Sequence, residues 1–168
     1  MNTEQSFLQE LLIVIVVFEK KPLETSAFQS LNSIREEALL MIYDNSSLPS
    51  HVEVENTIYL HDASNPGVSK AYNTASTLAK SRNKKWLMLA DQDTSFPESL
   101  FEKYQMAITD SSSKLIVPLL TDHLGLVSPF RFSKGKGRRI QSIKAGTLEL
   151  SSFRFANSGV LIALDTFN

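Results

Sequence analysis

The feature that most constrains the fold of this chain is a short apolar run followed by two aspartates. Residues 86–90 (WLMLA) lead directly into Asp91-Gln92-Asp93. A run without polar alternation is typical of a parallel strand buried on both faces. Residues 95–98 (SFPE) then predict the start of a helix through a capping box, with Pro97 early in its first turn. We therefore expect Asp91 and Asp93 at the carboxyl end of a central strand, where open α/β sheets bind ligands.

The two aspartates are one residue apart. Because side chains at i and i+2 of an extended segment point the same way, we expect Asp91 and Asp93 to converge and Gln92 to face away. Two close carboxylates repel each other unless a cation lies between them, and oxygen ligands suit Mg²⁺ or Mn²⁺. Such an ion keeps positions open for a diphosphate. The alternative is that Asp93 caps the next helix and Asp91 is solvated.

Apolar runs and helical stripes alternate along most of the chain. Strands are predicted at residues 11–18, 38–43, 56–61, 114–120 and 160–164, with a shorter edge strand at 126–132. Apolar residues recur at helical spacing over residues 23–34, 68–79 and 100–108. This alternation predicts a single α/β domain over residues 1–168, with a mostly parallel central sheet and helices on both faces.

Composition excludes several classes of function. The 168 residues are 42% apolar, with a net charge of −1 and no cysteine. We therefore expect an ordered domain, with no disulfide or thiolate metal site and no general attraction to nucleic acid. No apolar run approaches the ~20 residues of a membrane span, and the N-terminus has no signal-peptide pattern. These features predict a cytoplasmic protein without a transmembrane segment. The chain also lacks the sequence motifs of serine hydrolases, P-loop proteins and Rossmann dinucleotide sites.

Polar or aromatic residues also follow other predicted strands. Asp44 ends the second strand and is placed to accept a hydrogen bond from a base or a ribose, or else to form an Asx turn. Phe18 ends the first strand and is either a base-stacking residue or a rim aromatic. Asn65-Pro66-Gly67 either brings backbone close to a ligand or is simply a turn.

Residues 133–144 carry five basic side chains and two glycines. A solvated loop is the common interpretation of such a segment. The alternative is a flap that touches phosphate or an anionic acceptor.

Three of these strand-end features occur in a specific order. They are Asp44-Asn45-Ser46-Ser47, then Asn65-Pro66-Gly67 with Asn73, and then Asp91-Gln92-Asp93. In this order and spacing the set resembles the family 2 glycosyltransferases, which have the GT-A fold. The sequence ADQD at residues 90–93 and SGVLI at residues 158–162 look most like the rhamnosyltransferase branch. The resemblance covers roughly residues 11–167.

The resemblance implies a GT-A (nucleotide-diphospho-sugar transferase) fold and an inverting sugar transfer in polysaccharide biosynthesis. The donor would be a UDP- or dTDP-sugar, with rhamnose as the sugar of that branch. The acceptor would be a glycan or a lipid-linked glycan, and a lipid-linked acceptor would associate the protein with a membrane. A Mg²⁺ or Mn²⁺ ion would assist departure of the nucleoside diphosphate.

The resemblance also assigns residues to the donor site. Phe18 and Asp44 would contact the base, and Asp91 would contact the ribose or the sugar. Asp93, with Asp91 beside it, would hold the metal ion. The remaining donor-site residues by this resemblance are Asn65, Gly67 and Asn73.

The chain departs from the family pattern at two places. Residues 18–20 are Phe-Glu-Lys, where the family usually has Thr-Tyr-Asn. The family's catalytic base follows the Ser-Gly strand, and Asp165 is too early for it, so we expect the base beyond Asn168. The chain would then be the donor-binding part of a C-terminally truncated enzyme. Two alternatives are a non-catalytic nucleotide-binding module and a nucleotidyltransferase, although residues 19–22 make a poor phosphate loop for the latter.

Overall fold

A computed structural model describes residues 7–50, 52–111, 113–133, 135–148 and 151–166. Residues 7–9 are helical, and further along the chain are α1 (Ser26–Leu31), α2 (Val68–Ser81) and α3 (Leu100–Ser111). Short 3₁₀ turns occur at Pro22–Glu24, Asn32–Ile34 and Leu164–Thr166. The strands are β1 (Leu11–Val17), β2 (Leu39–Asp44), β3 (Thr57–His61), β4 (Trp86–Asp91), β5 (Leu115–Ile116), β6 (Leu120–Asp122), β7 (Gly125–Ser128), β8 (Phe130–Ser133), β9 (Lys136–Arg138), β10 (Phe153–Arg154) and β11 (Leu161–Ala163).

The main sheet has the strand order β3-β2-β1-β4-β11-β5. Strands β1 to β4 are parallel, whereas β11 runs antiparallel to both β4 and β5. The predicted mixed α/β architecture with a mostly parallel central sheet is therefore confirmed. The chain passes from β1 outward to β2 and β3, then returns to place β4 on the other side of β1. The strand order thus reverses between β1 and β4, and open α/β sheets bind ligands at such a point.

Helices cover both faces of this sheet. On one face, α1 and α3 pack on alternate side chains of β1, β2 and β4. On the other face, the small residues of α2 (Ala71, Ala75 and Ala79) let that helix lie close to the sheet. All seven residues of β1 are buried, and full burial of one large aliphatic side chain contributes about 1.5–3 kcal/mol. This central layer therefore fixes the positions of the strand ends.

The strand register brings the predicted site residues to one edge. Val16 pairs with Asp91 of β4, and Val17 pairs with Asp44 of β2. Asp44 in turn pairs with His61 at the end of β3. Because these strands are parallel, their carboxyl ends form one continuous edge, and Asp91 lies near its centre.

The helix after β4 begins later than predicted. Its first residue is Leu100, and the predicted capping box at residues 95–98 does not start it. The reason is tertiary packing: the Phe96 ring is buried, and its backbone N–H donates to Ser30 Oγ of α1 (3.1 Å). The segment before Leu100 is therefore held against α1 in a non-helical conformation.

Two prolines shorten the strands predicted in the second half of the chain. The predicted strand at 114–120 is reduced to β5, because Pro118 cannot donate to a strand ladder and follows it closely. The predicted edge strand at 126–132 is divided by Pro129 into β7 and β8. These two strands belong to two small sheets, β6-β7 and β10-β8-β9. The second of these sheets includes β9, which lies within the segment predicted as a basic loop.

Within the described ranges, no helix combines the length and apolar character that crossing a membrane requires.

Candidate functional site

Asp91 and Asp93 belong to a turn rather than to one extended strand. β4 ends at Asp91, and the Thr94 N–H donates to the Asp91 carbonyl (3.2 Å) to close the turn. The expectation of simple strand alternation is therefore wrong for this pair. Asp93 is exposed at the tip, and Asp91 is half-buried. The turn still keeps the two carboxylates close enough for their charges to interact.

Ser158 fixes this turn from the other end of the chain. Its Oγ accepts a hydrogen bond from the Asp91 N–H (3.0 Å) and donates one to Thr94 Oγ1 (2.7 Å). Its side chain is buried. The sequence marks Ser158 only as part of the Ser-Gly motif, and its contact with Asp91 depends on β11 pairing beside β4. Ser158 is therefore a positioning residue for Asp91.

The environment of Asp91 favours its protonated form. Burial raises the pKa of Asp91, and the nearby negative charge of Asp93 raises it further. The Tyr72 hydroxyl acts in the opposite direction and lowers the Asp91 pKa. A cation placed between the two carboxylates would offset the repulsion and favour the ionised form of Asp91.

Tyr72 brings a buried hydroxyl from α2 to this carboxylate. The hydroxyl comes close to Asp91 and Asn157, and burial followed by the Asp91 charge raises the pKa of Tyr72. It makes no hydrogen bond of normal geometry with any residue that the structure describes. The same is true of the buried Oδ1 of Asn45, after β2. Buried polar atoms are usually paired, so both atoms indicate that a ligand or ordered water completes this edge.

We predict that Tyr72→Phe raises the Asp91 pKa further, because the hydroxyl is the contact that lowers it. Folding stability should change by no more than about 1 kcal/mol, since the hydroxyl lacks a well-formed hydrogen bond to lose. Carboxyl ¹³C chemical shifts followed against pH would report the Asp91 titration, and urea unfolding would report stability. An unchanged or lower Asp91 pKa in the variant would contradict this arrangement.

Side chains join the loops that follow β1, β2 and β4. Gln92 Oε1 accepts a hydrogen bond from the Phe18 N–H (2.9 Å), so Gln92 does not simply face away as expected. The Glu19 N–H donates to Ser46 Oγ (2.8 Å), and Glu19 Oε1 accepts from the Ser47 N–H (2.9 Å). These contacts position the three loops that form the edge. The sequence does not identify Gln92 and Glu19 as positioning residues, because their partners are distant in the chain. Gln92 is 74 residues from Phe18, and Glu19 is 27 residues from Ser46.

Asp44 lies at this edge but is fully buried. Its Oδ1 accepts from the Ser46 N–H (2.9 Å), and its Oδ2 accepts from the Tyr59 hydroxyl (2.7 Å). The first bond forms the Asx turn that was the alternative prediction for this residue. In this conformation Asp44 holds the loop after β2, and a direct contact with a base stays a prediction that requires the loop to rearrange.

The other predicted donor-site residues are more accessible. Phe18 is 48% exposed at the end of β1, on the strand adjacent to β4. Asn65 has a positive φ of 45° in the loop before α2, and Asn73 is exposed on the second turn of that helix. Gly67 precedes α2 with φ +83°, and a Cβ built there meets nothing within 4 Å. A ligand can therefore approach the backbone at Gly67 closely. The ligand contacts predicted for Phe18, Asn65, Gly67 and Asn73 stay predictions.

An ion pair fixes the first turn of α2 beside this edge. Lys70 Nζ lies 2.8 Å from Asp62 Oδ2, and the Tyr43 hydroxyl donates to the same oxygen (3.1 Å). The Lys70 ammonium and the Ser64 hydroxyl hold the pKa of Asp62 well below its usual range. Asp62 is therefore a charged anchor for α2 rather than a proton-transfer group at neutral pH.

The carboxylate oxygens of Asp91 and Asp93 suit a hard divalent cation that also binds a ligand. In the part of the chain that the structure describes, no three or more His, Cys, Asp or Glu side chains gather as a metal cluster. Mg²⁺ is often bound by only one or two carboxylates together with substrate phosphates and water. Asp91 and Asp93 match that pattern, and a cation between them would offset the repulsion between the two carboxylates.

A cavity of about 660 Å³ lies at the opposite edge of the sheet. It is lined by Trp86 and Leu164, with lysines around it. Trp86 and Asp91 are the two ends of β4, about 17 Å apart. Asp165 also lines this cavity, and its carboxylate lies 2.7 Å from Lys114 Nζ. Neither the cavity nor Asp165 is therefore part of the Asp91–Asp93 site.

No protein-family model matches this chain, and no curated protein matches it at a significant level.

Proposed function

We propose that this chain is the donor-binding domain of an inverting glycosyltransferase with the GT-A fold. Its ligand is a nucleotide-sugar with a UDP or dTDP carrier, and the full enzyme transfers the sugar to a glycan or lipid-linked glycan. One observation carries the proposal: Asp91 and Asp93 form an accessible carboxylate pair at the carboxyl end of β4. By the resemblance to the rhamnosyltransferase branch, the sugar is rhamnose.

The strand order supports a ligand at this position. The strand order reverses between β1 and β4, and ligands of open α/β sheets bind outside the carboxyl ends of the strands at such a point. Phe18 directly follows β1, and Asp91 ends the adjacent strand β4. An exposed aromatic ring provides a stacking surface for a base, and the carboxylates lie where a diphosphate and its metal ion would be bound.

The groups around Asp91 support a preorganised site. Ser158 and Thr94 hold the turn, Tyr72 presents an unsatisfied hydroxyl, and Gly67 leaves backbone accessible. Asp93 and Asp91 would hold Mg²⁺ or Mn²⁺, which when bound neutralises charge that develops on the departing nucleoside diphosphate. The general base of an inverting transfer is not assigned to Asp165, because Asp165 lies at the opposite edge.

Calorimetric titration with UDP and with dTDP, each with and without Mn²⁺, tests this proposal. We expect binding that requires the metal, with one of the two bases preferred. Asp93→Asn should weaken metal-dependent binding by about tenfold or more, the range seen when a metal site loses a supporting group. The variant should keep the wild-type unfolding temperature within a few degrees, because Asp93 is exposed.

Asp110→Asn is the matched control for this titration. Asp110 is an exposed aspartate near the end of α3, so the substitution removes the same charge from another part of the surface. We expect it to bind like the wild type. Failure of both nucleotides to bind at millimolar concentration would overturn the proposal. Binding that does not depend on the metal would instead favour a non-catalytic nucleotide-binding module.

A further inference from the structure

The small sheet β10-β8-β9 has one strongly cationic face. Arg131 of β8 pairs directly with Arg138 of β9, and Phe153 of β10 pairs with Arg131 on its other side. Ser133 and Lys136 form the next pair that points the same way. Directly paired residues of antiparallel strands lie on the same face. The face is therefore formed by Arg131, Ser133, Lys136, Arg138 and Phe153, and we call it the arginine face.

The arginine face carries two like charges at directly paired positions. Like charges directly opposite each other destabilise an antiparallel pair, and Arg131 and Arg138 are in that position. Among the residues that the structure describes, neither has a carboxylate partner. Arg139, the next residue after Arg138, does have one, in a two-bond contact with Asp122 (2.7 and 2.8 Å). In the described part of the chain, the sheet thus carries two exposed arginines without a carboxylate partner on one face, at directly paired positions.

Phe153 restricts the orientation of one of these groups. The Arg131 guanidinium carbon lies 5.7 Å from the centre of the Phe153 ring. Such cation–π contacts hold a guanidinium group over the ring and leave its outer N–H donors free. The arginine face therefore has an ordered donor at Arg131, a second at Arg138 and a flexible ammonium at Lys136.

The arginine face lies next to the Asp91–Asp93 turn along the chain. β10 ends at Arg154, four residues before Ser158, which donates to and accepts from that turn. Four residues span at most about 14 Å. Asn157, within this connection, is also a neighbour of Tyr72. A short segment of chain therefore joins the sheet that carries the arginine face to the Asp91–Asp93 turn.

We propose that the arginine face binds a phosphate group of the acceptor. Two guanidinium forks and an ammonium on one exposed face match an anion that has three or more acceptor oxygens, whereas a carboxylate occupies only one fork. The assignment of this phosphate to the acceptor rests on the proposed glycosyltransferase function, in which the donor diphosphate occupies the Asp91–Asp93 site. The phosphate site itself depends only on the arginine face and requires no metal ion.

Titration of the whole chain with pyrophosphate, in EDTA and without divalent cations, tests this proposal. The Nε–H signals of Arg131 and Arg138 in ¹⁵N NMR spectra should shift with saturation. In the double variant Arg131→Gln/Arg138→Gln, pyrophosphate should bind about tenfold more weakly or worse, as expected for loss of a charge-assisted hydrogen bond. Acetate should bind the wild type more weakly than pyrophosphate does.

Two further variants test whether binding depends on the arginine face alone. Arg154 lies on the opposite face of the same sheet, where it stacks on Phe132, so Arg154→Gln should leave pyrophosphate binding unchanged. Asp93→Asn should also leave it unchanged, while it weakens metal-dependent nucleotide binding. The two proposals can therefore fail independently.

Three outcomes would overturn the phosphate site. One is a pyrophosphate titration that does not saturate, and another is equal weakening by Arg154→Gln. The third is a membrane surface as the partner: the chain would then sediment with vesicles of phosphatidylserine and phosphatidylcholine, lose that binding in the double variant, and show no saturable pyrophosphate binding.

Discussion

Replacement of Gly159 by alanine should destabilise the protein by about 2–5 kcal/mol, the sum of a left-handed backbone cost and an overpacking cost. Gly159 has a φ of +78°, which residues with a Cβ adopt only at an energetic cost. A Cβ built there would lie 2.6 Å from Pro118 Cγ and 3.4 Å from the Phe96 ring and the Tyr104 hydroxyl. The proline ring is stiff, so the clash must move backbone.

Thermal and urea unfolding measure this effect. A loss of this size is a large part of the roughly 5–15 kcal/mol that stabilises a typical domain, and it should lower the unfolding temperature by about 10 °C. The control is Gly135→Ala: Gly135 has a similar φ of +75°, but a Cβ there meets nothing within 4 Å. If Gly159→Ala destabilises no more than Gly135→Ala, the close contact with Pro118 is not a constraint on the fold.

The position of Gly159 connects this stability effect to the site. Its N–H donates to the Leu89 carbonyl (2.7 Å), and its carbonyl accepts from the Tyr104 hydroxyl. The preceding residue, Ser158, bonds to the Asp91 N–H. A shift of Gly159 would therefore also move the groups that hold the Asp91–Asp93 turn, and weaker ligand binding should accompany the loss of stability.

The central strands could be predicted because they are buried on both faces. β1, β2 and β4 carry unbroken apolar runs, and the polar residue at the end of β2 or β4 marks its carboxyl end. Parallel pairing then brings Asp44 and Asp91 to one edge without further information. The direction of β11 could not be predicted, since a three-residue apolar strand has the same pattern in either direction.

The errors have local physical causes. The capping pattern at residues 95–98 is overridden because the Phe96 ring is buried and its N–H is bonded to Ser30. Pro118 and Pro129 divide apolar runs that look continuous by hydropathy. Strand β9 has no apolar alternation at all, because it is exposed on both sides, so composition alone predicted a loop.

The sequence predicts the two carboxylates of the candidate site but not the residues that hold them in place. Asp91 and Asp93 stand out because they directly follow an apolar run at the expected end of a strand. Ser158 bonds to the Asp91 backbone from 67 residues away, and Tyr72 reaches the Asp91 carboxylate from α2. Such contacts depend on which strands become neighbours, and no local pattern encodes that order.

Replacement of Asp91 by asparagine should stabilise the fold and abolish metal-dependent nucleotide binding. The folded protein raises the Asp91 pKa above the ordinary value of 3.8 through burial and the Asp93 charge. At neutral pH the ionised carboxylate is therefore less favourable in the folded than in the unfolded state, and stability falls as the pH rises through this interval. Asparagine removes that cost, since it has a similar shape and no charge.

Urea unfolding of both proteins over a range of pH checks the stability effect. The variant should be more stable than the wild type at pH 7, and its advantage should shrink as the pH falls and disappear below 3.8, where Asp91 is protonated in both states. Asp62 and Asp122, which have lowered pKa values, affect both proteins equally and cancel in the comparison. The control Asp110→Asn removes the same charge from an exposed position on α3.

Calorimetry with UDP or dTDP and Mn²⁺ checks the binding effect of Asp91→Asn. We expect a loss of about 100-fold or more, the upper end of the range for disturbed metal sites, because an uncharged amide is a poorer ligand and no longer balances the cation. A stabilised variant that no longer binds nucleotide would show that the fold keeps an unfavourable charge for its ligand. If the variant is instead less stable at pH 7, the Tyr72 hydroxyl stabilises the ionised carboxylate more than burial and Asp93 destabilise it. In that case Asp91 would be a structural residue of the turn, and Asp93 would have to bind the metal ion without it.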